Sequence, residues 1–290
     1  MPNRLFTRGA RLFAAAFVVS LAACERVVEV DLPEGERLLV VEARVERVAG
    51  QTSGRQRVRL TTTYPYFNKA APPPARGATV RLSDDAGNAA TVVESAAEPG
   101  VYETGAFVGE PGRAYLLTID WEGDRYEARD TMPRVAPIDT LYFAERNGVL
   151  GPREGLRATI DFRDPAGSRD YYLWDQLVDG ARLIAPDSAF RIRVVASDDL
   201  IAGQRVTGFQ PYDGIAVRAG QTVTVRQLGL SGQAYRYWLA VSDQTINDGS
   251  PFAVTPASVR GNVANRTHPA RRALGYFFAS EVAEATRTVP

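Results

Sequence analysis

The sequence has many acidic residues but little histidine and cysteine, and this composition limits which catalytic and metal-binding sites the chain can form. The 290 residues include one His and one Cys, which excludes an internal disulfide and a zinc site of Cys and His ligands within one chain. His268 lies in a stretch typical of a loop, with no nucleophile at motif spacing, so no Ser–His–Asp triad is indicated. We therefore predict a protein that is not an enzyme and that carries no cofactor and no metal.

Carboxylates are the remaining candidates for chemistry. Asp84–Asp85 and Asp198–Asp199 are adjacent pairs, whereas a glycosidase needs two carboxylates that converge at about 5–10 Å. Adjacent side chains of a strand point to opposite faces and those of a turn are usually solvated, so we interpret both pairs as solvated turn residues. Calcium binding is the alternative to a chain without metal, although no EF-hand spacing is present. Its candidate ligands are Asp164, Asp170, Asp243 and Asp248.

The N-terminal residues, 1–23, have the organisation of a signal peptide. Three arginines precede an apolar run over 12–23, which is shorter than the ~20 residues of a membrane span. The run ends in Leu-Ala-Ala followed by Cys24, which resembles the lipobox of bacterial lipoproteins. We predict that Cys24 carries a lipid, that residues 24–36 form a tether, and that the protein is anchored to the outer membrane. Its periplasmic and cell-surface faces both stay open.

The rest of the chain has the alternating pattern of short β-strands. Seven such runs separated by turn residues lie within 37–131, which predicts an immunoglobulin-like β-sandwich. Two prolines within 132–137 indicate a linker. Residues 138–290 continue with further short runs, so we predict a second β-rich unit of the same kind. The predicted fold class is mainly β, with two immunoglobulin-like β-sandwich units.

One segment of the second unit fits two periods. Tyr235, Trp238 and Leu239 fall on one stripe of a helix, but alternate positions from Tyr235 onward also fit a strand. The segment is long and has no internal Gly or Pro, and Ser231 can cap it. We therefore predict a single helix near 232–247.

An aromatic stretch follows the second predicted strand and runs into three consecutive prolines. Aromatic side chains on a proline-stiffened loop lose little entropy when they bind a sugar or a protein. The predicted binding residues of this loop are Tyr64, Tyr66, Phe67 and Asn68. The alternative is that Tyr64 and Phe67 close one end of the sandwich core.

Five stretches of the chain resemble the lipoproteins of domain-of-unknown-function family 4249. They include VRLTTTYPYFN and FRDPAGSRDYYLW, and they occupy residues 24–42, 58–68 with 77–88, 104–143, 162–174 and 250–280. Arg271 and Arg272 depart from the resemblance, because apolar or small residues are expected there. The resemblance implies an outer-membrane lipoprotein tied to a SusC-like TonB-dependent receptor, and it supplies no catalytic site.

The balance of charges argues against nucleic acid as a general partner. The chain has 34 basic and 34 acidic residues, so it lacks the basic surface that a general nucleic-acid binder needs. We predict a lipid-anchored, non-catalytic accessory or binding protein of a TonB-dependent uptake or assembly complex. The alternatives are a surface hydrolase of glycans or peptides and an adhesin or structural surface protein.

Overall fold

A computed structural model describes residues 35–65, 70–145, 155–183, 194–246 and 259–290. These residues form sixteen strands and one helix, so the predicted mainly β fold with a single helix is confirmed. The strands are β1 Leu39–Val48, β2 Arg57–Thr62, β3 Thr79–Asp84, β4 Ala89–Glu94, β5 Val101–Glu103, β6 Ala114–Trp121, β7 Asp124–Thr131, β8 Ile138–Ala144, β9 Arg157–Arg163, β10 Tyr171–Val178, β11 Ala181–Arg182, β12 Val194–Ser197, β13 Arg205–Phe209, β14 Thr222–Gly229, β15 Ala264–Asn265 and β16 Leu274–Thr288; the helix is α1 Gly232–Ile246.

Most strands belong to one path of hydrogen-bonded neighbours. Its order is β11-β10-β14-β16-β1-β2-β5-β4-β3-β6-β7-β15, β12 pairs with β10, and β13-β9-β8 form a separate three-stranded sheet. The sheets are open and sandwich-like, and the immunoglobulin-like strand order stays a prediction. Residues 37–131 contain seven strands, as the alternating pattern predicts.

Alternation explains why these segments are strands. In β6 every second side chain is buried, and Leu117, Ile119 and Trp121 enter the core cluster that lies between the N-terminal strands. Turn chemistry closes the hairpins. The Asp84 carboxylate accepts hydrogen bonds from the backbone N–H groups of Ala86 and Asn88, which confirms the predicted turn between β3 and β4.

The last strand, β16, connects the two halves of the sequence. It pairs in parallel with β1 and antiparallel with β14. Its Phe277 lies in the N-terminal core, while Phe278 and Val282 pack under the helix. The two backbones approach closely at Gly275, which has φ +84° and where a Cβ atom would lie only 2.0 Å from the Val41 carbonyl oxygen. Any larger residue at Gly275 would therefore clash with β1.

The segment predicted as a linker, 132–137, is packed against both halves. Met132 is buried in the N-terminal core, and the backbone N–H of Val135 donates to Glu281 of β16. The carbonyl of Ala136 accepts a hydrogen bond from Gln227 of β14. The division of the chain into two units at this segment stays a prediction, and β16 hydrogen bonds to strands on both sides of it.

The helix begins where the sequence predicts. Ser231 caps it, because its side-chain oxygen accepts a hydrogen bond from the Ala234 N–H at 3.1 Å. Its aromatic side chains pack on the sheet, with Tyr235 stacked on Tyr171 and Trp238 edge-on to Phe278. Within the described residues no helix is long and apolar enough to cross a membrane.

Candidate functional site

Three carboxylates converge where β9, β10 and β12 meet their loops. Asp164 directly follows β9, Asp170 directly precedes β10, and Asp198 directly follows β12. One carboxylate oxygen of each residue lies within 4.8 Å of those of the other two. We call these three residues the aspartate cluster.

Strand register brings two members of the aspartate cluster together. β10 and β12 are antiparallel with Tyr171 opposite Ser197, so the next residues along, Asp170 and Asp198, leave the sheet side by side. The backbone N–H of Asp198 donates to the Asp170 carbonyl at 3.0 Å. The two carboxylates therefore start from a fixed backbone pair.

Asp164 is held in place by donors from two further segments. The Tyr172 hydroxyl donates to one of its carboxylate oxygens at 2.5 Å, and the backbone N–H of Gly203 donates to the other at 3.0 Å. The Asp164 backbone N–H in turn donates to the Gln204 carbonyl. Each oxygen keeps a second lone pair for another ligand.

The aspartate cluster has no directly paired cation among the described residues; Arg169, which pairs with Asp199, interacts with Asp198 at longer range. Asp164 and Asp198 are only 1% and 2% exposed, and Asp170 is half-buried. In the part of the chain that the structure describes, none of the three forms an ion pair, and the Asp198 carboxylate has no hydrogen-bond donor. Burial, followed by the charges of Asp164 and Asp198, raises the pKa of Asp170 above its ordinary value. Like charges in a poorly solvated place repel each other unless a proton or a cation neutralises them.

These positions correct part of the sequence interpretation. The prediction of a solvated pair is wrong for Asp198, which β12 directs inward, while its neighbour Asp199 is exposed and pairs with Arg169 at 2.5 Å. Of the calcium candidates, Asp164 and Asp170 do meet, and their third member is Asp198. Asp243 lies on α1 instead, and Asp248 lies outside the described residues.

A second buried aspartate lies beside the start of the described chain and has the opposite surroundings. Asp124, at the beginning of β7, accepts hydrogen bonds from His268 at 2.5 Å and Asn265 at 3.0 Å, and Arg271 reaches it at 3.4 Å. The hydrogen bond from His268 lowers the pKa of Asp124. We call Asp124, Asn265, His268 and Arg271 the Asp124 clasp, because they fasten the 262–272 loop to the hairpin of β6 and β7.

In the Asp124 clasp, His268 contacts both Asp124 and Asn265. Its ring bonds Asp124, its backbone N–H donates to Asn265, and among the described residues no Ser or Thr hydroxyl bonds its ring. The predicted loop setting is confirmed. The acid and the imidazole form a pair without a hydroxyl nucleophile in the region described.

The predicted binding loop is partly visible. Tyr64 is 39% exposed, so its side chain does not close the sandwich core. Tyr66, Phe67 and Asn68 lie outside the described residues, as does the predicted lipidation site Cys24.

A surface cleft that the sequence analysis missed runs beside α1. Its volume is about 370 Å³, and Tyr237 and Tyr276, stacked 4.3 Å apart, form part of its wall. The cleft lies between a helix and a loop about 20 residues further along the chain, and no local sequence pattern predicts a contact between segments so far apart.

Comparison with known families gives one match. The family described as a domain of unknown function, DUF4249, matches residues 25–286. The chain belongs to this family. A comparison with curated proteins found no match.

The structure gives a role to Arg271, one of the two arginines that the sequence analysis singled out. Arg271 of this DUF4249 chain donates to Glu36 at 2.8 Å and reaches Asp124 at 3.4 Å. The arginine thus ties the first described residues to the Asp124 clasp.

Proposed function

We propose that this DUF4249 chain is a lipid-anchored, non-catalytic outer-membrane protein that binds a TonB-dependent receptor as part of an uptake or assembly complex. Its only cysteine, Cys24, ends the apolar run of the signal peptide, and the family match begins at the next residue. A lipid at this position would anchor the folded body without a membrane span.

The observation that carries the proposal is the contact between Thr63, which precedes the aromatic stretch, and Glu36, at which the folded unit begins. The Thr63 hydroxyl donates to the Glu36 carbonyl and accepts from the Leu38 N–H, at 3.0 and 2.9 Å. Tyr64 follows immediately and is exposed. Tyr64 therefore follows a residue that is hydrogen-bonded to Glu36, the first residue of the folded unit.

The described ends of this loop are fixed to the sheet. The N–H of Thr62 donates to the Pro73 carbonyl, and the N–H of Ala75 donates to the Leu60 carbonyl. A loop with both ends held presents its aromatic residues at a lower entropy cost than a free segment.

The tether limits where this loop can act. Residues 25–36 span at most roughly 40 Å when fully extended. A tether of this length would keep the folded body within reach of a partner embedded in the same membrane, which supports a membrane-embedded receptor as the partner.

The polar side chains support binding over hydrolysis. The single His is engaged with Asp124, and the described hydrogen bonds give it no hydroxyl partner. A hydrolase that used the aspartate cluster would need a water and an exposed substrate groove, whereas Asp164 and Asp198 are buried.

Affinity purification from gently solubilised membranes tests the proposal. We expect the wild type to bring a TonB-dependent receptor with it, and Tyr64→Ala together with Tyr66→Ala and Phe67→Ala to weaken that association by about tenfold or more, since hot-spot aromatic residues contribute at least 1–2 kcal/mol each. Leu200→Ala is the matched control, because Leu200 is an apolar side chain with 88% exposure elsewhere on the surface.

Four outcomes decide the matter. Retention of the thermal transition in the triple variant, with loss of the receptor, supports the loop as contact surface. Loss of the thermal transition would show that these rings belong to the core. Wild-type protein that purifies without any receptor would favour an adhesin, and Cys24→Ala protein that still reaches the membrane in mature size would disprove the lipid anchor.

A further inference from the structure

The aspartate cluster holds like charges close together in a largely buried position, and the family match does not say what neutralises them. Three carboxylates place an oxygen each within 4.8 Å of one another, and two of them are almost fully buried. Bringing such charges together out of water is unfavourable unless something neutralises them. Among the described residues no cationic side chain forms an ion pair with the three, and Arg169, which interacts with Asp198 at longer range, is paired with Asp199.

Asp198 supplies the observation that separates this cluster from an ordinary acidic surface. Its side chain is 98% buried by accessible area, since only 2% is exposed, and it points toward the other two carboxylates. Within the described chain it accepts no hydrogen bond. Neighbouring Asp199 shows what a partnered carboxylate looks like here, because it accepts from both Arg169 and Ser197.

We propose that Asp164, Asp170 and Asp198 form a calcium-binding site. All the available ligands are carboxylate oxygens, which are the ligands of hard divalent cations rather than of zinc or copper. Oxygens bound to Ca²⁺ at about 2.4 Å lie at most about 4.8 Å apart across the ion, so oxygens within 4.8 Å of one another can share one Ca²⁺. Mg²⁺ requires near-ideal octahedral geometry and gives up its water reluctantly, which disfavours it in a site of protein carboxylates.

The cluster can supply part of the coordination shell of Ca²⁺. Three carboxylates give three converging oxygens when each binds through one atom, and water completes the six to eight that Ca²⁺ takes. Tyr172 and Gly203 already fix Asp164, and Ser168 donates to Asp170 at 2.6 Å. Asp198 is the carboxylate whose full acceptor capacity remains for the ion.

Bound calcium would join two loops of the second half of the chain. Asp164 and Asp170 bracket the loop between β9 and β10, and Asp198 begins the turn between β12 and β13. The backbone bonds from Asp164 to Gln204 and from Asp198 to Asp170 already align these loops. The ion would add a charged link that exists only in the folded state and would therefore stabilise it.

Calorimetric and thermal titrations of the full mature chain in detergent micelles test the site. We expect Ca²⁺ to bind with a Kd on the order of 10⁻⁴ M. At about a hundred times that concentration, Tm should rise by roughly 5–10 °C. Mg²⁺ at the same concentration should give a much smaller shift.

Matched substitutions locate the ion. Asp198→Asn removes one charge without changing side-chain size, so calcium affinity should fall at least tenfold. Asp199→Asn, one residue away, should change it less than twofold because that side chain is exposed and paired with Arg169. Asp170→Asn provides a second, half-buried position and should resemble Asp198→Asn.

Several results would overturn the site. They are no calcium-dependent shift in the wild type, an equal shift with Mg²⁺, or wild-type affinity in Asp198→Asn. If Asp198→Asn does not fold, unchanged affinity in Asp170→Asn would overturn it in the same way. The site does not rest on the receptor proposal, since these titrations contain no partner protein.

Discussion

Two buried aspartates at different places in this molecule have opposite electrostatic surroundings. Asp124 is encircled by donors, including the cationic Arg271, and its pKa is lowered. Asp198 faces two other carboxylates, and the pKa of its neighbour Asp170 is raised. Burial alone therefore does not define the role of an acidic residue. The charged groups that surround it define that role.

The two places also lie at different ends of the sheet. Asp124 belongs to the end at which Glu36 and Arg37 enter the fold, since Arg271 bonds Glu36 and Arg37 lies over the Trp121 ring. Tyr172, which bonds the aspartate cluster, stands next to Leu173, and the register runs from Leu173 through Leu228 and Val282 to Val48 at the end of β1. The Asp124 clasp thus lies at the end where Glu36 and Arg37 begin the folded unit, and the aspartate cluster lies at the level of the opposite end of β1.

The largest effect is expected from removing the charge that the clasp needs. Asp124→Ala should reduce the free energy of unfolding by roughly 2 kcal/mol, because Asn265 and Tyr126 lose their acceptor and Arg271 loses a counter-ion. Urea unfolding measures it. Asp120→Ala on the same hairpin is the control, since Asp120 is exposed and its pair with Arg125 contributes at most about 1 kcal/mol. Equal losses in both variants would show that the clasp adds nothing to stability.

The aspartate cluster should respond in the other direction when calcium is absent. Asp198→Asn removes one of three like charges, so without calcium the variant should be as stable as the wild type or more stable, by up to about 1 kcal/mol. Urea unfolding in the presence of a chelator measures it. A loss as large as that of Asp124→Ala would mean that Asp198 has a stabilising partner, and the comparison would fail.

Lowering the pH should change the stability contributions of Asp124 and of the aspartate cluster in opposite directions. The pKa of Asp124 is lowered in the folded state, so its stabilisation is present above the unfolded value of about 3.9 and is lost as the pH falls through the lower folded value. The pKa of Asp170 is raised, so its contribution is complete below about pH 3.9 and is lost as the pH rises through the folded value.

Paired measurements isolate these contributions from the other titrating groups. The stability difference between the wild type and Asp124→Asn should shrink on acidification below about pH 4. The difference between the calcium-free wild type and Asp170→Asn should shift in favour of the variant as the pH rises above about 4. The same sign in both pairs would contradict the electrostatic contrast.

The smallest effect concerns His268, whose side chain is 67% exposed. His268→Gln should cost about 0.5 kcal/mol, because contacts of an exposed side chain contribute little and Asn265 and Arg271 stay on Asp124. Chemical unfolding near neutral pH measures this loss. A cost equal to that of Asp124→Ala would make the imidazole, rather than the whole ring of donors, the essential part of the clasp.

Local chemistry made much of the fold predictable. The β3–β4 turn follows from Asp84 and Gly87, the helix start follows from Ser231, and the strands of 37–131 follow from alternation. These features are determined by neighbours along the chain, which a single sequence displays.

Contacts between distant segments were not predictable. Leu274–Thr288 pairs with Leu39–Val48 across most of the chain, and its sequence gives a strand signal without a partner. The sequence did not distinguish Asp198 from Asp199. Only the register with Tyr171–Val178 turns Asp198 inward and leaves Asp199 in solvent. The acids were visible as candidate calcium ligands, but their grouping depends on this register.

Terbium luminescence tests the central claim that the aspartate cluster, unlike the clasp, holds a hard cation. Tb³⁺ takes the same oxygen ligands as Ca²⁺ and is excited by a nearby aromatic ring, and the Tyr172 hydroxyl bonds Asp164 directly. We predict sensitised emission from the wild type and from Asp124→Asn, displaced by excess Ca²⁺ and lost in Asp198→Asn. Emission that persists unchanged in Asp198→Asn, or that Ca²⁺ fails to displace, would contradict the account.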